Sequence, residues 1–161
     1  PIPLNVSKSA DVLNYPTSGN ISQTTGMVYF EALVTSPTSS APYFIAGASG
    51  NTGWYLDNSP AGLFSLFDGS GDDKNSNITI TPPYTITKKF ASVYTASASG
   101  FAVDGVLSSA AAFDGNMSLG VSVTLGMLPN GTNALFGPLR NLRIYPAAND
   151  ASFSRSQTSA R

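Results

Sequence analysis

The sequence predicts an all-β domain, a sandwich or a barrel built from short strands. Three observations carry that prediction. The helix formers Leu, Lys, Glu, Gln and Arg are sparse, and no long segment places apolar residues at i, i+3, i+4 and i+7. Short runs rich in Val, Ile, Thr, Tyr and Phe recur along the chain. Gly, Pro, Asn and Asp punctuate those runs, as turns punctuate strands.

Residues 1–25 are polar for a core segment and read as an entry arm or a first edge strand; residues 26–161 read as the β domain. The first strong strand is Gly26 to Val34. Val28, Phe30, Ala32 and Val34 alternate with Met27, Tyr29 and Leu33, so both faces are apolar. A strand central in its sheet, or facing a second layer, reads this way. Tyr43–Ala46, Gly53–Asp57 and Leu63–Phe67 follow as strands, with Pro37 and Pro42 in the loop before the first. Residues 68–77 (DGSGDDKNSN) read as a polar loop, and Ile78–Thr81 as a short strand before Pro82-Pro83. Residues 89–96 form the next strand. Phe101–Val103 and Val106–Ser108 then flank Asp104-Gly105, a pair suited to a type I′ hairpin turn, where both central residues take positive φ. Met117–Leu125 is expected as a strand that Gly126–Leu128 extends, and Asn130-Gly131 as a turn. Gly137–Tyr145 is the last strand. Asn149 or Asp150 is positioned to cap one short helix over residues 151–158.

The chain has 161 residues, within the ~100–200 of a single domain. Hydrophobic residues make up 42% and charged residues 11%, against about 25% charged in an average soluble domain. Cys and His are absent, which excludes disulfides, Cys nucleophiles and imidazole-based triads, and removes the usual ligands of zinc and haem. Net charge is −1 with no basic run denser than Lys88-Lys89, which argues against nucleic-acid binding. No stretch reaches the ~18–20 apolar residues of a membrane span, and no signal-peptide pattern is visible. The start at Pro1 rather than Met points to a fragment or a processed product.

The order of an opening strand (GMVYFEALV), a middle strand (KFASVYTA), a short hairpin (GFAVDGVLSS) and a closing strand with proline (FGPLRNLRIYPAA) resembles the concanavalin A-like, or laminin-G-like, jelly roll. It is most similar to the module at the C-terminal ends of phage tail fibres and tailspikes. Gly137, Leu139, Leu142, Arg143, Ile144, Tyr145 and Pro146 match the ending of that group, and the resemblance covers roughly residues 24–158. It implies an all-β, antiparallel two-sheet β-sandwich with one short C-terminal helix. By implication the chain is a non-enzymatic part of a virion tail fibre or tailspike. It would bind host surface polysaccharide, or cap and trimerise the fibre. Two alternatives stand beside that reading: a carbohydrate-binding module of a secreted bacterial glycosidase, and a ligand-free assembly or decoration domain.

Candidate sites follow from residue chemistry. Trp54 and Tyr55, beside Asn51, Asp57 and Asn58, offer flat rings for the apolar face of a sugar and short polar groups for its hydroxyls; the alternative is a Trp packed on the core beside Leu56. Asp68, Asp72 and Asp73 in a Gly-rich loop offer hard oxygen ligands for Ca²⁺, although Asp73 stands where an EF-hand loop requires Gly. Arg140 and Arg143 suit an anionic glycan or a contact between subunits. Glu31, the only glutamate, lacks the second carboxylate that glycosidases need, so no catalytic residues are assigned. The sequons at Asn5, Asn20, Asn77, Asn116 and Asn130 read as chance products of a Ser/Thr/Asn-rich chain.

Overall fold

Strand pairing in the computed structural model builds two antiparallel sheets that pack face to face. Residues 13–34, 42–48, 52–57, 62–68, 73–80, 86–108, 111–113, 117–132, 134–135 and 137–146 are described. The strands are β1 (Leu13–Pro16), β2 (Gly26–Ala32), β3 (Tyr43–Gly47), β4 (Gly53–Asp57), β5 (Leu63–Phe67), β6 (Asp73–Thr79), β7 (Lys88–Tyr94), β8 (Ala98–Val103), β9 (Val106–Leu107), β10 (Ala111–Ala112), β11 (Ser122–Leu125) and β12 (Leu139–Tyr145). One sheet runs β1-β11-β3-β4-β5-β6, and the other β10-β8-β7-β2-β12 with β9 paired to β8. No helix occurs among the described residues; the expected helix over 151–158 lies outside them.

The core follows from period-two alternation. From β2, Val28, Phe30 and Ala32 face inward, joined by Phe90 and Tyr94 of β7, Phe101 and Val103 of β8, Trp54 and Leu56 of β4, and Phe64 and Leu66 of β5. Phe30 sits at the centre, with ring centroids 4.6 Å from Phe44, 5.1 Å from Phe90 and 5.7 Å from Phe64. Burying each such ring contributes roughly 1.5–3 kcal/mol, and each aromatic pair about 0.5–1.5 kcal/mol more. The second apolar face of β2 also has its layer: Met27 and Tyr29 pack outside the sheet with Ala91 and Ala102. The double-faced pattern thus reflects an interior strand, hydrogen-bonded to β7 on one side and β12 on the other.

Three local expectations are corrected. The polar loop expected over 68–77 becomes strand from Asp73, because β6 is, among the described residues, an edge strand paired with β5 alone, and an edge tolerates polar residues. The strand expected over 117–125 is reduced to Ser122–Leu125, since Gly120 turns the chain at φ 73° and Leu119 N–H donates back to the Met117 carbonyl at 2.6 Å. Its extension over 126–128 bends out of the sheet instead, with Gly126 at φ 77°. The hairpin at Asp104-Gly105 has the expected positive φ at both residues, 48° and 82°. Asp104 also ties the turn to β7, accepting from Lys88 Nζ at 2.9 Å and from the Lys89 N–H at 2.9 Å.

Candidate functional site

β12 carries the local feature that shapes the site. Leu139 and Arg140 pair with Ala32 and Glu31, but the next partners are Arg143 with Tyr29, so β12 holds one extra residue there. Asn141 supplies it, at φ 50°. In a regular strand, side chains three apart point to opposite faces. The bulge puts Arg140 and Arg143 on the same outer side and lets Leu139, Leu142 and Ile144 all pack on the core.

β1 and β12 end their respective sheets on the same side of the sandwich. On the opposite side β6 packs against β8 and β10. Between β1 and β12 the sandwich gapes, and two hollows sharing Leu142 open there, of about 340 and 160 Å³. The larger is walled by Leu13, Leu125, Met127, Leu135 and Leu139, with Arg140 and Asn141 as its polar residues. The smaller is lined by Tyr15, Asn20, Leu142 and Ile144. Tyr15 is 41% exposed and Leu13 61%. Asn14 fixes β1 beside β11 by accepting from the Thr124 hydroxyl at 3.0 Å, and Thr17 anchors the strand's end by donating to the Gly120 carbonyl at 2.7 Å. The larger hollow falls at the low end of the ~300–1,000 Å³ of ligand clefts, space for one or two sugar rings.

Among the expected site residues that are described, Arg140 lines this gap. Trp54 is 0% exposed, 5.9 Å from Tyr94 in the core, and its ring has no free face for a sugar. The reading of Trp54 as a stacking platform is therefore corrected to a core residue: it shares its parity with Leu56, and both point between the sheets. Tyr55 points the other way, and is itself covered by its stack on Tyr43 at 5.0 Å and by Leu128. Asn51 and Asn58 lie outside the described residues. Asp57 ends β4, with its side chain outside them. Asp68 is buried, Asp73 opens β6 with its side chain outside the described set, and Asp72 lies outside it altogether. Among the described residues no three potential metal-ligating side chains converge.

Arg143 is occupied otherwise, its guanidinium carbon 5.7 Å from the Tyr29 ring centroid. The Tyr29 hydroxyl donates to Glu31 Oε1 at 2.6 Å. Burial first, and then that hydrogen bond, pushes the Tyr29 phenol well above its ordinary value of 10.0. Burial alone does the same for Tyr94, whose hydroxyl donates to the Ser22 carbonyl at 2.6 Å. Both phenols thus hold their protons in the fold where the unfolded chain would release them. Their contribution to stability is complete below about pH 10 and is lost as pH rises beyond it. Denaturation midpoints should fall as pH rises from about 10 to 12, less steeply in Tyr29→Phe, and a flat profile over that range would contradict the burial.

Comparison with family models finds no match, nor does comparison with curated protein sequences. Solved structures do match. Domain 4 of the extracellular arabinanase AbnA from Geobacillus stearothermophilus, in complex with arabinotriose, aligns with TM-score 0.64 and 17% identity, over 92% of this chain and 72% of that one. The CBM40 of the Ruminococcus gnavus IT-sialidase bound to α2,3-sialyllactose aligns with TM-score 0.65 and 15% identity, over 92% and 93%. Mouse laminin α1 domains LG4-5 align with TM-score 0.62 and 16% identity, over 89% and 42%. At these identities the likeness is one of fold. The chain is an antiparallel jelly-roll sandwich.

Proposed function

We propose that the chain is a non-catalytic, extracellular carbohydrate-binding module whose glycan lies in the gap between β1 and β12. The observation that carries this reading is the gap itself: a ligand-sized hollow, an exposed Tyr15 ring, and the polar groups of Asn20, Arg140 and Asn141 around it. The structural neighbours that hold arabinotriose and sialyllactose support it. The carboxylates nearest to β2 and β7 support a binding role over hydrolysis. Glu31 accepts from Tyr29, and Asp104 is held by Lys88 and the Lys89 N–H. Glycosidases keep two carboxyl groups facing one bond.

A second reading concerns the parent protein. The residues that resemble the endings of tail-fibre modules, Gly137, Leu139, Leu142, Arg143, Ile144, Tyr145 and Pro146, lie in and beside β12, next to the proposed glycan. The module would then stand at the tip of a trimeric phage fibre, where several weak sites act together. The neighbours favour a module attached to a secreted bacterial glycosidase.

Calorimetric titration with arabinan oligosaccharides, sialyllactose and bacterial surface polysaccharides tests the binding role. Tyr15→Ala should weaken binding of the active glycan about five- to thirtyfold, roughly 1–2 kcal/mol, while the chain stays folded at a stability cost of about 1 kcal/mol. A folded chain that binds no saccharide in the panel would remove the proposal.

A further inference from the structure

Resting on that reading, we propose that the glycan is acidic and that Arg140 holds its charged group at the mouth of the larger hollow. Arg140 is the charged residue among the described lining of the two hollows, and no carboxylate stands among that lining. Its side chain is exposed, and among the described residues neither a hydrogen bond nor an ion pair engages it. Glu31 stands opposite it on β2, but its Oε1 accepts from the Tyr29 hydroxyl. Arg143, the other cation of β12, lies over the Tyr29 ring.

A residue in the left-handed region is uncommon outside glycine, and Asn141 adopts it within an edge strand. Regular pairing sets Arg140 opposite Glu31, and the extra residue after it turns Leu142 to the core beside Leu139, so that both wall the hollow that Arg140 lines. A carboxylate or sulfate entering that hollow meets a guanidinium whose parallel N–H donors match two of its oxygens, a charge-assisted contact stronger than one between neutral groups. The chain's net charge of −1 gives no long-range attraction for polyanions, so preference for an acidic glycan would have to come from a local group such as this one.

The test is titration of the whole chain with matched pairs that differ only in charge: trigalacturonate and its methyl ester, sialyllactose and lactose, a sulfated oligosaccharide and its unsulfated parent. The acidic member of at least one pair should bind about tenfold or more tightly, an advantage that falls with salt. Arg140→Gln should abolish the advantage, and Arg143→Gln should keep it. Whichever pair responds names the carboxylate or the sulfate as the group held. Equal binding within every pair that binds, or an advantage that survives Arg140→Gln, overturns the inference and leaves the glycan-binding reading standing. No binding of any saccharide by the folded chain overturns both.

Discussion

Trp54→Ala is expected to cost about 3–5 kcal/mol of folding stability, a large share of the ~5–15 kcal/mol that holds a typical domain together. Trp54 is 0% exposed and heads the largest fully buried side chains of the core. It reaches across from β4 to Tyr94 of β7, so removing it opens a void between the sheets, where neither can collapse freely. Trp54→Phe should cost clearly less. It keeps a ring in place, and it removes the indole Nε1–H, which is buried with no hydrogen-bond partner. A buried unpaired donor costs about 1–3 kcal/mol, so its loss offsets part of the missing volume. Urea denaturation of the three proteins checks the order. Glycan titration of the folded Phe variant should match the parent; a specific loss of binding there would return Trp54 to the site.

The core is readable from the sequence because period two is a strong signal. Trp54 and Leu56 alternate with Tyr55, and Phe64 and Leu66 with Ser65, which sorts inward from outward without further information. Polar company misleads at Trp54, since Asn51, Asp57 and Asn58 suggest a sugar platform while parity points to the core. β6 is hidden in the sequence because its early residues, Asp73 to Asn77, carry no apolar alternation; pairing with β5 makes them a strand. The bulge in β12 leaves a fainter trace. Leu139, Leu142 and Ile144 are spaced by three and then two, a pattern that fits one face only if the strand contains an extra residue. The gap itself has no sequence signal at all. Its walls come from Leu13 near one end of the chain and Leu142 near the other, joined only when both strands end their sheets on the same side.

Gly53→Ala is the second large effect, expected at about 3 kcal/mol or more. Gly53 opens β4 at φ 137°, a conformation that L side chains rarely adopt. A Cβ there would lie 2.0 Å from the Ile45 carbonyl oxygen and 3.0 Å from the Ala46 Cα, both backbone atoms of the paired strand β3. Neither can swing aside as a flexible side chain would, so the strands must separate or shift. That pairing is already irregular: Tyr43 pairs with Tyr55 but Ile45 with Trp54, and the offset lets Phe44 and Ile45 both reach the core. Loosening it would disturb Phe44, Trp54 and the centre of the aromatic cluster together. Gly131→Ala provides the contrast. Gly131 has φ 80°, but nothing lies within 4 Å of the point a methyl group would occupy. Backbone strain of about 1–2 kcal/mol is then the whole cost. The difference between the two denaturation curves therefore reports the close approach together with the less accessible backbone conformation at Gly53. Equal losses would mean that β3 and β4 do not meet as tightly at Gly53 as the geometry requires, and that the core behind them has more room than its packing implies.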